Sequence, residues 1–512
     1  MTIQIKRRLS FIINFLLLKP LSFGNPTDEG TSDGSTSSAV SFACGFAILL
    51  ITIVYLTVQF TMEKFSSDSM WGLMFFLIAT GIIAAALLVS TVCCKSNDVI
   101  QQQQLKGKCV ELEIKFLWFS GLGVLLRTGI NLVINFECIK NSSDPRGILE
   151  IISSFLKIMF MLIQMSFITF LRNTRLLGGL FINYLIGVLF LANTSIWVNF
   201  VTLRVVKIYD FPNITISLTN LSAFDDCYFH SKTQNMSRHL SSFIISVSML
   251  FLLLSSMFLI RLWPSIQNVT KMSNRLNKCT VSNTSSEQPN ANNRALKSRR
   301  IVRIISFGGS FFINFPFFTM ALLMRYVYTD DINTVKVFWD LFVIFCLTVM
   351  VLIIVFGIQN LNLNCIEKRP FSTWEFIFLV SMASKVVMSI LGCTSIVICF
   401  VDKPVTIFTK NILDLILTLY HTVYIIVARR TPHFEFDKSI ANLSIHVILF
   451  CCCLGRWFLQ TFILSSAGMY IFEEGEQCLF TDRRSWRTTQ YVLIPLNAFY
   501  DFQSFVFYYG KI

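Results

Sequence analysis

The chain has 512 residues, of which 54% are hydrophobic and 14% charged, against about 25% charged in an ordinary soluble domain. That composition excludes a soluble globular enzyme or binding module as the main body of the protein. The formal net charge is +14, but the basic residues lie between apolar runs and form no soluble basic face, so they point to the Lys/Arg excess of cytoplasmic loops and not to nucleic acid.

In chain order, Lys6-Arg7-Arg8 and the apolar run Leu9–Leu18 have the charge and length of a signal peptide. No small-residue cleavage site follows and Lys19-Pro20 interrupts the run, so residues 1–41 read as an uncleaved cytoplasmic arm. The sequence then predicts twelve helical spans: Phe42–Phe60, Trp71–Val92, Phe116–Phe136, Leu149–Leu171, Leu180–Leu203, Phe243–Trp263, Phe307–Tyr326, Val337–Gly357, Phe376–Phe400, Ile412–Ala428, Leu443–Leu464 and Tyr491–Tyr508. The tenth and twelfth are shorter than the ~20 residues a bilayer asks for and carry Asp414 and Asp501, which suits burial against neighbouring helices. Between the sixth and seventh spans, Pro264 to Arg303 sets Lys271, Arg275, Lys278, Arg294, Lys297, Arg299, Arg300 and Arg303 against the single acid Glu287, and reads as a disordered basic linker.

Short basic loops stay in the cytoplasm, which places this linker and both termini inside. Arg172, Arg175, Lys368, Arg369, Arg429 and Arg430 then fall on inner connections, and the sequons at Asn141, Asn213, Asn220 and Asn235 on outer ones, as candidate glycosylation sites. The fifteen cysteines include no paired CxxC spacing of the zinc type and read mostly as small packing residues. Cys451, Cys452 and Cys453 point about 100° apart on a helix and cannot converge on a metal ion.

The second half repeats the first. The fourth span holds Gln164, then the basic turn Arg172–Arg175, then Trp197 33 residues after Gln164; the tenth holds His421, then Arg429-Arg430, then Trp457 36 residues after His421. Six spans separate the copies, so the fold expected is all-α, a polytopic membrane protein of two parallel six-helix domains, 42–263 and 304–512, joined by 264–303. Each would place polar groups at mid-membrane depth, where such groups usually face a cavity, a partner or a pathway.

Leu162-Ile163-Gln164-Met165-Ser166-Phe167-Ile168 with Ala192-Asn193-Thr194-Ser195-Ile196-Trp197 resembles the otopetrin family of proton channels, whose fourth helix carries that Gln and whose fifth carries Asn four residues before Trp. His421-Thr422-Val423-Tyr424-Ile425 with Ala428-Arg429-Arg430 looks like the tenth helix of that family, and Cys452-Cys453-Leu454-Gly455-Arg456-Trp457 like the eleventh. Pro495-Leu496-Asn497-Ala498-Phe499-Tyr500-Asp501-Phe502-Gln503-Ser504 looks like the twelfth. The resemblance covers roughly residues 160–205 and 410–510. It implies a plasma-membrane homodimer in the lipid bilayer that carries protons inward when the outside is acidified, with no cofactor, no metal and no enzymatic activity. The chain departs from the family pattern at His421 for Gln, Cys453 for Asn, Asp501 for Arg, Gln503 for His and Ile260 for Tyr.

Proton-pathway candidates are therefore Gln164, Asn193, His421, Asp414, Asp501 and Gln503, while Trp197 and Trp457 read as packing residues. Arg456 and Asp501 are expected to form an ion pair between the eleventh and twelfth helices. Arg127, Arg325 and Lys385 read as snorkelling or paired cations, and Glu473, Glu474 and Glu476 as a solvated outer loop. No nucleophile, base and orienter share a recognisable spacing. Two other classes compete. A twelve-span secondary transporter would carry an Arg- and Gly-bearing loop between its second and third spans, whereas Lys95–Lys115 holds four glutamines and only Gly107; a non-conducting receptor or scaffold would tolerate the altered C-terminal site.

Overall fold

The computed structural model describes residues 67–94, 100–101, 108–139, 145–172, 175–176, 181–182, 184–197, 232–262, 289–326, 332–361, 373–399, 404–431, 440–464, 479 and 483–512. The arm 1–41, the first expected span, Asn141, Asn213, Asn220 and Glu473 to Glu476 lie outside the described residues, as does the side chain of Asn235.

Eleven helices run through the described residues: α1 Ser67–Cys94, α2 Lys108–Ile139, α3 Pro145–Leu171, α4 Tyr184–Trp197, α5 Lys232–Leu262, α6 Pro289–Tyr326, α7 Ile332–Gln359, α8 Thr373–Cys399, α9 Pro404–Arg430, α10 Ile440–Phe458 and α11 Arg483–Lys511. Each expected span from the second to the twelfth falls on one of them in order. Seven are long and apolar enough to cross a membrane, and α4 and Val247–Leu262 of α5 are shorter apolar helices. The outward faces are apolar, with Phe312 78%, Val405 74% and Ile305 68% exposed, a surface that lipid, not water, would cover. The protein is thus an all-helical, membrane-embedded bundle. Among the described residues the strand structure is a two-residue antiparallel ladder, β1 Ile100–Gln101 with β2 Arg175–Leu176, which ties the α1–α2 connection to the segment after α3.

Two expectations are corrected. The tenth span is not short: α9 has 27 residues, because hydrogen bonding continues into polar flanks that an apolar-run criterion stops short of. α11 has 29 residues but is not among the seven helices long and apolar enough to cross a membrane, so the twelfth span stays the less apolar one, with Asp501 buried on it. The linker is not wholly irregular either. Its last part, from Pro289, is the first turns of α6, where proline sits well because the first helical N–H has no partner to lose.

α2 packs on α3 and α5, and α1 on α3; α8 packs on α9 and α11, and α7 on α9; α10 fits between α6 and α11. Close approach depends on small residues. A Cβ added at Gly123 of α2 would sit 2.5 Å from Val247 Cγ1 of α5, whereas one at Gly129 meets nothing within 4 Å. Gly123→Ala should therefore lower stability by about 1–3 kcal/mol through overpacking, while Gly129→Ala on the same helix should be neutral or better. Thermal unfolding of both detergent-solubilised variants checks this; equal melting temperatures would contradict the packing.

The two halves meet along α2, α5 and α11. Phe116 of α2 inserts edge-on into Trp457, Phe502 and Phe505, with ring centroids 5.3, 5.2 and 5.6 Å away. Trp457 is thus buried among aromatic rings at this seam. Gln503 Nε2 donates to Met257 Sδ across the same seam.

Candidate functional site: a polar column through the C-terminal half

α9 carries Lys410, Asp414, Thr418, His421 and Tyr424 at spacings of three or four residues, so they form one stripe along the helix. From Lys410 to Arg430 the stripe rises about 30 Å, close to the thickness of a bilayer's hydrocarbon core. Asp340 of α7 meets Lys410 at the first end, Nζ to Oδ1 3.1 Å.

One turn further lie four charges. Arg456 Nη2 of α10 donates to Asp414 Oδ1 at 2.8 Å, and Ser389 Oγ of α8 donates to Asp414 Oδ2 at 3.2 Å. Lys385 Nζ of α8 donates to both oxygens of Asp501 of α11, at 2.9 and 3.1 Å. Arg456 Nε lies 3.7 Å from Asp501 Oδ2, joining the two pairs. The expected Arg456–Asp501 pair therefore exists only as the long link: each residue has a nearer partner, Asp414 for Arg456 and Lys385 for Asp501. Two cations and two anions cancel, which is the condition under which buried charge is tolerated.

Below them His421 bridges two phenols. Its Nδ1 lies 3.1 Å from Tyr500 Oη and its Nε2 2.9 Å from Tyr508 Oη. Tyr500 Oη also meets Thr422 Oγ1 at 2.9 Å, and Lys385 Nζ lies 5.0 Å from the Tyr500 ring centre. Cys453 Sγ is 3.9 Å from His421 Nε2. Asp414 is not a direct partner of His421, since each is taken up by other helices. Further along, Tyr508 rests against His446 of α10, centroids 5.6 Å apart, and Tyr424 Oη is 3.0 Å from His446 Nε2. Arg430 closes the far end with two hydrogen bonds to Glu375 of α8, at 3.2 and 3.1 Å.

In the N-terminal half Gln164 Nε2 donates to Asn193 Oδ1 at 3.2 Å, as expected of neighbouring polar residues on the fourth and fifth spans. Asn193 Nδ2 donates to Leu252 O and Ser256 Oγ, and Ser255 Oγ donates to Asn193 Oδ1; none of these groups is titratable, and all but Ser256 are buried. Glu113 of α2 holds Arg261 of α5, with a second contact at 3.0 Å. Gln503 stands apart from the column, facing α5, because it lies two residues after Asp501, about 200° around the helix.

Sequence reasoning missed Tyr500, Tyr508, Tyr424, His446 and Glu375 as members, and it read Lys385 as a snorkelling or paired cation without naming Asp501 as its partner. Their signal was weak: an aromatic hydroxyl in an apolar run reads as packing. His446 and Lys385, ionisable groups inside spans, carried the stronger hint. Cys138, near the end of α2, is disulfide-bonded and so is no packing thiol.

No family model matches the chain, and no curated protein matches it. What fold and site define is a class: a membrane-embedded helical protein with a charged and imidazole-bearing column inside its C-terminal half.

Proposed function

We propose that the protein is a proton channel of the otopetrin kind, built as twelve spans in two parallel six-helix domains, and that its protons cross the C-terminal domain. The observation that carries this is the column itself: carboxylates, two ammoniums, two imidazoles, three phenols and the hydroxyls of Ser389 and Thr422 lie between Lys410 and Arg430, with no comparable titratable chain among the described residues at the Gln164–Asn193 knot. A proton needs only hydrogen-bonded stations, not a pore wide enough for a hydrated ion. His421 is the central station, because an imidazole between two phenols can accept at one nitrogen and release from the other. Between Asp501 and His421, and between Tyr508 and Tyr424, this route requires water as the carrier.

The duplication is supported by recurrence of the helix pairs, α2–α5 with α8–α11, α2–α3 with α8–α9, and α1–α3 with α7–α9. It is supported also by Glu113 and Phe116 of α2 matching Glu375 and Phe378 of α8, each glutamate holding an arginine. Residues at matched positions meet in both halves: Gln164 with Asn193, His421 with Cys453. The disulfide at Cys138 favours an oxidising, outer location for that end of α2, where the basic-loop reading also puts it. With that orientation, glycans are expected on one or more of Asn213, Asn220 and Asn235 and on neither Asn268 nor Asn283. Mass spectrometry of tryptic glycopeptides checks it, and a glycan on Asn283 reverses the topology.

The functional test is whole-cell recording in the plasma membrane during an extracellular acid step. A large inward current whose reversal follows the proton gradient is expected. A small current needing an added substrate would favour the transporter, and no current a receptor or scaffold.

A further inference from the structure

α6 begins with a run of cations. Arg294, Lys297, Arg299, Arg300 and Arg303 occupy its N-terminal half, and none of its 38 residues is acidic. A helix dipole favours cations at the opposite end, so α6 itself offsets nothing of their mutual repulsion. At other helix ends an arginine is neutralised by a glutamate of a neighbouring helix, Arg261 by Glu113 and Arg430 by Glu375. Arg300 and Arg303 are instead exposed, and neither meets a carboxylate among the described residues. Three residues apart, they are adjacent on the helix surface.

One turn further the same side of α6 becomes apolar. Ile304, Ile305, Phe311 and Phe312 are 64%, 68%, 61% and 78% exposed, and each lies three or four residues from Gly308, so the four surround it. A Cβ added at Gly308 or Gly309 would meet nothing within 4 Å, whereas one at Gly81 or Gly121 would run into side chains of a neighbouring helix. Internal packing therefore does not call for glycine at 308, where it weakens the helix. What it leaves is a shallow slot between two pairs of large side chains, open to the surroundings and about 12 Å along the axis from Arg300. Helical side chains lean toward the N-terminus, so the guanidinium groups point away from the slot. Charge and slot follow one another in the order of a phospholipid, headgroup first and acyl chain second.

We propose that this face of α6 is a docking surface for an anionic phospholipid of the cytoplasmic leaflet, its phosphates on Arg300 and Arg303 and an acyl chain in the slot at Gly308. Several basic residues at the cytoplasmic end of a span form the charge pattern that attracts multiply phosphorylated headgroups, and a guanidinium can bind phosphate through two parallel hydrogen bonds. The surface goes beyond the proton pathway. It uses the proposed orientation in which α6 begins in the cytoplasm, and needs neither conduction nor the column.

Native mass spectrometry of the full chain in an uncharged detergent, mixed separately with dioleoyl phosphatidylinositol bisphosphate, dioleoyl phosphatidylcholine and soluble inositol trisphosphate, tests it. The bisphosphate lipid should bind at least about tenfold more tightly than phosphatidylcholine. Arg300→Gln with Arg303→Gln should remove about tenfold or more of that affinity, at about fivefold per cation. Lys115→Gln, which removes an exposed cation of α2 already paired with Glu111, should change nothing. Gly308→Leu fills the slot without a clash, and should weaken the lipid about threefold or more while leaving inositol trisphosphate binding as it was. Equal binding of the two lipids, or a loss in Lys115→Gln as large as in the double variant, would reduce the surface to diffuse charge and overturn it. Inositol trisphosphate binding as tightly as the lipid, or lipid binding unchanged in Gly308→Leu, would remove the slot and overturn the assignment to a lipid. These outcomes are read whether or not acid evokes a current and whichever way the chain is inserted.

Discussion

Lys385→Met should cost the folded protein about 3–5 kcal/mol, the usual penalty for stranding one member of a buried pair. Lys385 and Asp501 are almost fully buried, with side chains 4% and 2% exposed. Removing the ammonium leaves Asp414 and Asp501 sharing only Arg456. Asp501→Leu alone should cost a similar amount, because the Lys385 ammonium would then lose the carboxylate it bonds. Lys385→Met with Asp501→Leu should recover most of the loss, since an apolar pair of similar volume often substitutes for a buried ion pair without penalty. The exchange Lys385→Asp with Asp501→Lys should recover part of it. Double-mutant cycles read from thermal unfolding test the partner assignment. Coupling between Lys385 and Asp501 should clearly exceed that between Arg456 and Asp501, whose nearest contact is 3.7 Å. Equal couplings would mean that the four charges form one undivided cluster.

His421→Gln should cut the acid-evoked current by about tenfold or more, equivalent to at least ~1.4 kcal/mol on the barrier. Glutamine restores the residue that the otopetrin resemblance expects and retains a donor and an acceptor, so the contacts to Tyr500 and Tyr508 need not all be lost. It cannot take up and release a proton in the accessible range, as an imidazole can. The current that remains should also differ in its dependence on external pH between 7.5 and 5. Surface biotinylation separates lost conduction from lost expression. Normalised curves that superimpose, with current lowered only in proportion to protein, would take His421 off the pathway. In that event the route through Gln164 and Asn193 becomes the better candidate. Gln164→Leu provides the comparison, and under the C-terminal pathway it should leave conduction per channel unchanged.

The helices were legible because the signal is local: about twenty consecutive apolar residues have few uses other than a span, and eleven of the expected spans coincide with helices in order. The Gln164–Asn193 contact was legible too, since an amide in each of two adjacent spans requires a partner at matching depth. Asp414, Asp501 and His421 stood out as titratable groups in apolar surroundings, yet their partners did not. Lys385 lies 116 residues from Asp501 and Tyr508 lies 87 from His421, and no periodicity within one helix encodes which face of another it will meet. The sequence paired Arg456 with Asp501 because both were unusual; the fold instead brings Asp414 on α9 nearer to Arg456 and Lys385 on α8 nearer to Asp501. That ionisable residues lie inside these spans could be read from the sequence, whereas their pairing depends on how α8, α9, α10 and α11 rotate to bury their apolar faces. By itself the sequence determined that the chain is a helical membrane protein and where its polar groups lie along each span. Only the tertiary structure decided that the C-terminal groups align into a column while the N-terminal ones close into a knot, because helix packing sets the distances between polar groups carried by different helices.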